Sequence, residues 1–486
     1  MSKLQEEKKP MSGWALSEFG EVDFCDKRLS NRLLKLADSF IKSPESSINR
    51  TCGSWGETKA AYRFFQNDSI EESKILNAHS IKTVARASKY KTILAIQDTC
   101  YISYKNHKKT TGLGIIASRV RANATNFRTP GLVMHTSFAI TTDGLPLGLL
   151  DQKINTRPEL SKELKELKKR SHNTALPIEK KESIRWLKSL ERSNSLGLED
   201  TKIVTICDRE GDIYELFELA CRKNQSVLIR ASRNRVVNKK SVYSKKTGQK
   251  LWDLAKSFSC QGELEVSIPA RDTNPARNAV LEIRFGDFRM NPRKNNVNNK
   301  IKNFHDLKLN LVYVLEKNTP EGLEPLEWLL LTDLTIHNFA EALEKVKWYC
   351  LRWRIEVFHK ILKSGFKVEE CRLQTAKRLI RYLTIMSVLA WRMFFITLLA
   401  RADPQQSCSG IFCDEEWKVL YSKTYGRKTH PSTPPTIKEA ILWVAKLGGF
   451  LGRKNDGDPG PITLWRGWRR LFDLVDGWNL AHSSFA

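Results

Sequence analysis

Acidic side chains are in short supply. Asp and Glu number 54 against 81 Lys and Arg, a net charge of +27. The excess is spread along the chain rather than confined to a tail, so a polyanionic partner is expected, with nucleic acid first. A membrane surface fits less well, because the cations are interspersed with acids instead of forming one polybasic anchor. A long unbroken apolar run is also missing. The longest, about Leu379 to Leu399, is interrupted by Arg381 and Arg392 and reads as a buried helix rather than a membrane span. The first ten residues are charged and have no apolar h-region, so no secretory leader is expected. Cysteine pairs are absent as well. The ten cysteines are scattered without a Cys-x-x-Cys, and Cys408 and Cys413 have no His nearby. That excludes a zinc ribbon and a disulfide framework, and reduced thiols are expected.

What is present fills 486 residues, enough for about two to four domains and a large core. Residues 1 to about 12 are polar and expected to be disordered. From Trp14 to Asp68 the pattern is helical. Leu33, Leu36, Phe40 and Ile41 share one side of a run that opens at Asp26, and Arg28, Arg32, Lys35 and Lys42 share the other. Gly53-Ser54-Trp55-Gly56-Glu57 starts a further helix carrying Arg63. This basic unit reads either as a DNA-binding module or as a helical cap on the next domain.

Thr92 to Asp98 is a buried strand expected to end in an acid, and Lys202 to Asp208 repeats the device. Two β-like runs around Asp143-Gly144 read as a hairpin. Residues 157 to 193, rich in Lys and Glu, read as a solvated helical segment with a break near Pro177. Ser226 to Ala231 is a strand with Arg230 at its end. From Ser232 to about Glu324, alternating strands and basic loops, including Asn291 to Lys300, suggest an inserted antiparallel β-subdomain. The strand Trp328 to Thr332 follows it. Strand ends in α/β sheets open onto a crevice, where paired carboxylates suit a hard divalent ion; singly, each Asp reads as a turn or cap residue. Beyond the apolar helix, the tail Trp465 to Trp478 is an amphipathic aromatic helix, suited to self-association or to packing on its own core.

Tyr349 to Lys363 has no Gly or Pro and reads as one amphipathic helix. Leu351, Ile355, Phe358 and Leu362 fall on one side. Tyr349, Arg352, Glu356 and Lys363 fall together on the other, flanked by Trp353 and Lys360. A carboxylate among cations and flat rings suits DNA, and could hold a metal against a phosphate.

Ile96-Gln97-Asp98-Thr99, Cys207-Asp208-Arg209-Glu210 and Arg352-Trp353-Arg354-Ile355-Glu356-Val357-Phe358-His359-Lys360 together resemble the three acid motifs of bacterial DDE transposases, specifically the insertion-sequence-4 family. Tyr349, Arg352, Glu356 and Lys363 match that family's Tyr-x2-Arg-x3-Glu-x6-Lys signature without a change of spacing. The resemblance implies an α/β fold: a ribonuclease-H-like catalytic core interrupted by a β-insertion, with helical N-terminal and C-terminal domains. The implied boundaries are 1–75 for binding transposon ends, 76–370 for the core with its insertion at about 232–324, and 371–486 for a dimerising region. It implies Asp98, Asp208 and Glu356 as ligands of Mg²⁺, with Mn²⁺ able to substitute. It implies Tyr349, Arg352, Lys363, Arg230, Trp353, Lys360, Arg28 and Arg63 as DNA contacts and Trp328 as a stacking ring for a flipped base. The expected reaction is cut-and-paste transposition through a hairpin intermediate, by a homodimer on double-stranded DNA in the bacterial cytoplasm, nucleoid-associated and with no membrane partner. The alternatives are an inactive DNA-binding repressor and a nuclease of the same fold that does not join strands.

Overall fold

The structure is a computed structural model; it describes residues 13–483 apart from 44, 121–125, 158–176, 240–247, 269, 271–274, 293–304, 428 and 455. The polar N-terminus, most of the Lys/Glu-rich segment and most of the basic loop Asn291 to Lys300 therefore lie outside the described residues.

Helices come first: α1 (Gly13–Phe19), α2 (Lys27–Lys42), α3 (Ile48–Cys52), α4 (Trp55–Gln66) and α5 (Glu72–Ala87). Asp26 accepts from the Arg28 amide to start α2, and Ser54 accepts from the Glu57 amide to start α4. Each supplies an acceptor for an amide that a helix start leaves open. Leu33, Leu36, Phe40 and Ile41 are buried, while Arg28 and Lys35 are exposed. The two-sided pattern of α2 is thus used as expected.

The strands are β1 (Thr92–Ser103), β2 (Gly114–Val120), β3 (Asn126–Thr141), β4 (Pro146–Asn155), β5 (Lys202–Cys207), β6 (Ser226–Arg230), β7 (Val236–Val237), β8 (Gln249–Lys250), β9 (Gly262–Ile268), β10 (Arg277–Met290), β11 (Leu307–Lys317) and β12 (Glu327–Thr332). Ten of them form one sheet in the order β2-β3-β1-β5-β6-β12-β11-β10-β9, with β4 also on β3; β7 and β8 pair separately. β1, β5 and β6 run parallel, and the other pairings are antiparallel.

The remaining helices are α6 (Ile184–Asn194), α7 (Tyr214–Arg222), α8 (Leu251–Ser257), α9 (Phe339–Cys350), α10 (Trp353–Lys360), α11 (Ala376–Ala402), α12 (Asp414–Tyr425), α13 (Ile437–Leu447) and α14 (Pro461–Ser483). They cover both faces of the sheet. Alternate residues of its strands join two separate cores. Leu94 and Ile96, Val204 and Ile206, Leu228 and Leu330 pack with Ile355, Phe358, Leu362 and α11. Cys207, Val227, Ile229, Leu329 and Leu331 pack on the opposite face with Trp186, Leu216 and Phe217. The described end of the Lys/Glu-rich segment is therefore not simply solvated, because α6 buries Trp186 and Leu190.

Helix α11 is long and apolar enough to cross a membrane, yet 83% of its apolar window is buried inside the protein. A helix apolar all round belongs in a core. Arg381, which interrupts the run, is also buried. Its guanidinium donates to the Phe65 and Ile70 carbonyls at 2.7 and 2.8 Å. The interruption is a tie to the N-terminal helices.

Three expectations need correction. Strand β1 does not end at Asp98 but continues to Ser103, because β3 pairs with it as far as Ser103 opposite Gly131. The inserted strands are antiparallel, as expected, but they do not form a sheet of their own. β9, β10 and β11 extend the main sheet through β12, which pairs with β6. Continuing the sheet satisfies a strand edge that a free-standing insertion would leave open. Tyr349 to Lys363 is not one helix. α9 stops at Cys350, Arg352 and Arg354 bond back three residues rather than four, and α10 runs into a wider π-turn at Ile361–Gly365.

At the C-terminus, α14 buries Leu464, Trp465, Trp468 and Leu471. A Cβ on Gly467 would meet the Val444 carbonyl of α13, so glycine is what lets these two helices approach. The first half of the aromatic tail therefore packs on its own core, while Phe472, Leu474 and Trp478 further along stay partly exposed.

Candidate functional site

Register builds the centre of the site. The last parallel pairs are Gln97 with Cys207 and Cys207 with Ile229. One residue further, Asp98, Asp208 and Arg230 stand level across three neighbouring strands. Adjacent strands lie about 4.8 Å apart. Residue parity puts all three on the face where Ile96, Ile206 and Leu228 pack beneath α10 and α11. Helix α10 brings Glu356 to that face by burying Ile355 and Phe358 completely.

The surroundings of the acids differ. Asp98 Oδ1 accepts from the Thr99 amide at 2.8 Å. Burial pushes the Asp98 carboxyl up to about 7, and the charge of Asp208 pushes the same way; the Thr99 amide and Arg352 oppose, and Glu356 adds to the rise. Asp98 thus feels the charges of both Asp208 and Glu356. Asp208 caps a single 3-10 turn, accepting from the Glu210 amide at 2.9 Å. Glu356 is held by Arg352, four residues earlier, in a direct ion pair. Among the described residues, no three His, Cys, Asp or Glu side chains already stand within reach of one ion. The Glu356 carboxylate is instead engaged by Arg352. The donor set itself, hard carboxylate oxygens with one acid destabilised in its charged form, suits a hard divalent cation.

Around the acids lie the aromatic and cationic residues. The Arg230 guanidinium sits 5.6 Å over the Trp328 ring and donates to the Glu327 carbonyl at 3.0 Å. Tyr349 packs its ring edge-on to Trp328 at 5.3 Å. Tyr349 was expected on the open face, but it is 5% exposed, and burial raises its hydroxyl pKa against the pull of Arg352 and Arg230. It is covered but still turned toward the site, where Arg352, Arg230 and Asp208 act on its hydroxyl. Trp353 is exposed and so is Lys360. Lys363 lies in the π-turn with Nζ 3.6 Å from Glu369. It lines a cavity of about 210 Å³ with Lys105, His107 and Lys367. Arg28 and Arg63 are exposed on α2 and α4, apart from this cluster; Arg28 pairs with Asp26.

Sequence reasoning passed over two residues. His359 is buried on α10 with Nδ1 3.7 Å from Asp98 Oδ2. Burial depresses its pKa to about 3, helped by Lys363 and Arg352, so the ring is neutral. At three residues past Glu356 it shares the helix face already singled out, which was the available signal. Glu369, which accepts from the Ser103 amide at 2.7 Å and meets Lys363, had no such signal.

Comparison with protein families gives three matches. Residues 11–70 match a transposase DNA-binding model, residues 184–392 a transposase DDE domain, and residues 388–485 a Tn5 transposase dimerisation domain. The DDE match spans Asp208 and Glu356 but begins after Asp98, which joins them through strand register. With a DNA-binding stretch, a DDE stretch and a Tn5-type dimerisation stretch in succession, the chain belongs to the DDE transposases and resembles the Tn5 type.

Proposed function

We propose that this chain is a cut-and-paste transposase of the bacterial insertion-sequence-4 family, acting as a homodimer on the inverted-repeat ends of its element. The observation that carries the reading is the convergence of Asp98, Asp208 and Glu356 on one face of the sheet, felt in the raised pKa of Asp98. The strand order β4-β3-β1-β5-β6, with β1, β5 and β6 parallel, supports a ribonuclease-H-like core. On this reading, 1–75 binds the ends, 76–370 is the core and 371–486 dimerises.

Asp98, Asp208 and Glu356 would hold two Mg²⁺, with Mn²⁺ as substitute, which would supply Lewis-acid activation of a water or 3′-hydroxyl and charge stabilisation of the leaving oxygen in a displacement at phosphorus. The side chains do the rest. Arg352 leaves Glu356 for a phosphate, which its planar fork can hold bidentately, and Lys363 adds a point charge. Tyr349 braces Trp328 from below, so that an unstacked base meets a fixed ring with Arg230 beside it. Unstacking costs a few kcal/mol, and such a platform offsets part of it, which suits a hairpin step. Trp353 and Lys360 reach the flanking strand, and Arg28 and Arg63 the end sequence.

The test uses purified protein, DNA carrying its inverted repeats, and Mg²⁺. Expected are nicked, hairpin and strand-joined products from the wild type, and end binding without any cleavage from Glu356→Ala. Cleavage by Glu356→Ala at the wild-type rate overturns the assignment, and cleavage without joined products by the wild type reduces it to a nuclease.

A further inference from the structure

Buried histidines normally spend both ring nitrogens. His79 meets Glu18 through Nδ1 at 2.5 Å, and its Nε2 accepts from the Leu149 amide at 2.9 Å. His135 meets the Thr99 hydroxyl at 2.9 Å and the Gln97 side chain at 3.3 Å. His359 does not. Its Nε2 is buried without a partner. Its Nδ1 faces Asp98 Oδ2 at 3.7 Å, a few tenths of an ångström beyond bonding reach. A neutral ring has one N–H to give. Carried on Nδ1, it leaves only a lone pair at the orphan nitrogen and directs the donor at the acid.

The other side of the acid agrees. Oδ1 is already taken by the Thr99 amide, so Oδ2 is the oxygen whose direction is unset. The imidazole comes from α10, the helix that also carries Glu356, and Phe358 flanks the ring at 5.5 Å between centroids. One rigid turn therefore fixes the third acid and touches the first.

We infer that His359 is a positioning residue: its Nδ1–H holds the Asp98 carboxylate in the orientation in which it receives a divalent ion, without touching ion or DNA itself. The inference rests on the reading that Asp98 is a metal ligand. Partners of this kind typically account for about 10–100-fold in metal affinity.

The experiment titrates Mn²⁺ into the full-length protein and follows free Mn²⁺ by electron paramagnetic resonance, with no DNA cutting required. His359→Leu keeps the volume and removes the donor. His359→Asn returns an N–H near the Nδ1 position, and His359→Gln places one near Nε2. Expected are affinity weakened about 10–100-fold in His359→Leu, most of it restored in His359→Asn but not in His359→Gln, and unchanged end binding in EDTA for all three. A folded His359→Leu that holds Mn²⁺ as tightly as the wild type overturns the inference. Should His359→Leu fail to fold, equal affinities of the Asn and Gln variants overturn it instead. Asp98→Asn separates the layers. Wild-type affinity there sinks the metal site itself, whereas a loss there beside an unaffected His359→Leu removes only the role of His359.

Discussion

Asp98 carries a proton more tightly than an ordinary carboxylate, and this has two measurable results. The first concerns stability. Its folded value, about 7, lies above the unfolded value of about 3.9. The folded state thus binds the extra proton between these limits, and stability from this group is full below about 4 and lost as pH rises through about 7. The second concerns the ion, which must displace that proton. Divalent-ion affinity is expected to fall by about tenfold per pH unit below about 7 and to level off above it. Mn²⁺ titrations between about pH 5.5 and 8.5 check the slope, and Asp98→Asn should abolish it. Glu18 has the opposite sign. Burial alone would raise it, but His79 and the fork from Arg86 outweigh burial and hold it down to about 2. Its contribution is present above about 4.5 and is lost as pH falls toward 2.

At the scale of elements, the Glu18–Arg86 pair joins α1 to α5. Arg86 also donates to the Leu147 carbonyl of β4 at 2.6 Å and lies 4.1 Å over the Trp391 ring of α11. Arg86→Ala leaves the buried Glu18 carboxylate with His79 as its remaining partner and is expected to cost about 1.5–3 kcal/mol, read from the urea midpoint at neutral pH. How far elements could be read from sequence depended on whether their cause was local. Strand β5 ends where Asp208 begins, since an apolar run and a turn residue are neighbours in the chain. The three acid motifs were legible because the residues of each are neighbours in the chain, whereas their meeting in space was implied only by the resemblance. The continuation of β1 past Asp98 was not legible, since it depends on β3, whose partner residues lie some thirty to fifty positions away. The break at Arg352 left no mark either: the stretch has no Gly or Pro, and tertiary packing tightened a turn that every residue in it would have allowed.

For the molecule as a whole, charge and continuity matter most. With a net charge of +27, binding to ends should be strongly salt-dependent. A surface that neutralises roughly six to ten phosphates loses about 10³–10⁵ in affinity between about 50 and 200 mM salt. Fluorescence anisotropy on labelled ends is expected to show a slope in that range, with Glu356→Ala following the same line because it removes no cation. The extremities are tied together as well: Arg469 of α14 meets Glu45 at 3.1 Å, and Lys42 of α2 lies over the Phe472 ring at 5.8 Å. The unbroken sheet has its own corollary. Asp208 follows β5, and Trp328 belongs to β12, two ladders away through β6. If the proposed roles of Asp208 and Trp328 hold, the gap between the place where a bond is severed and the place where a nucleobase can rest is set by interstrand spacing rather than by a hinge. A slip of β12 by one position would turn the indole to the far side of the sheet, so on that proposal any distortion of DNA would be made at one invariant reach from the scissile phosphate.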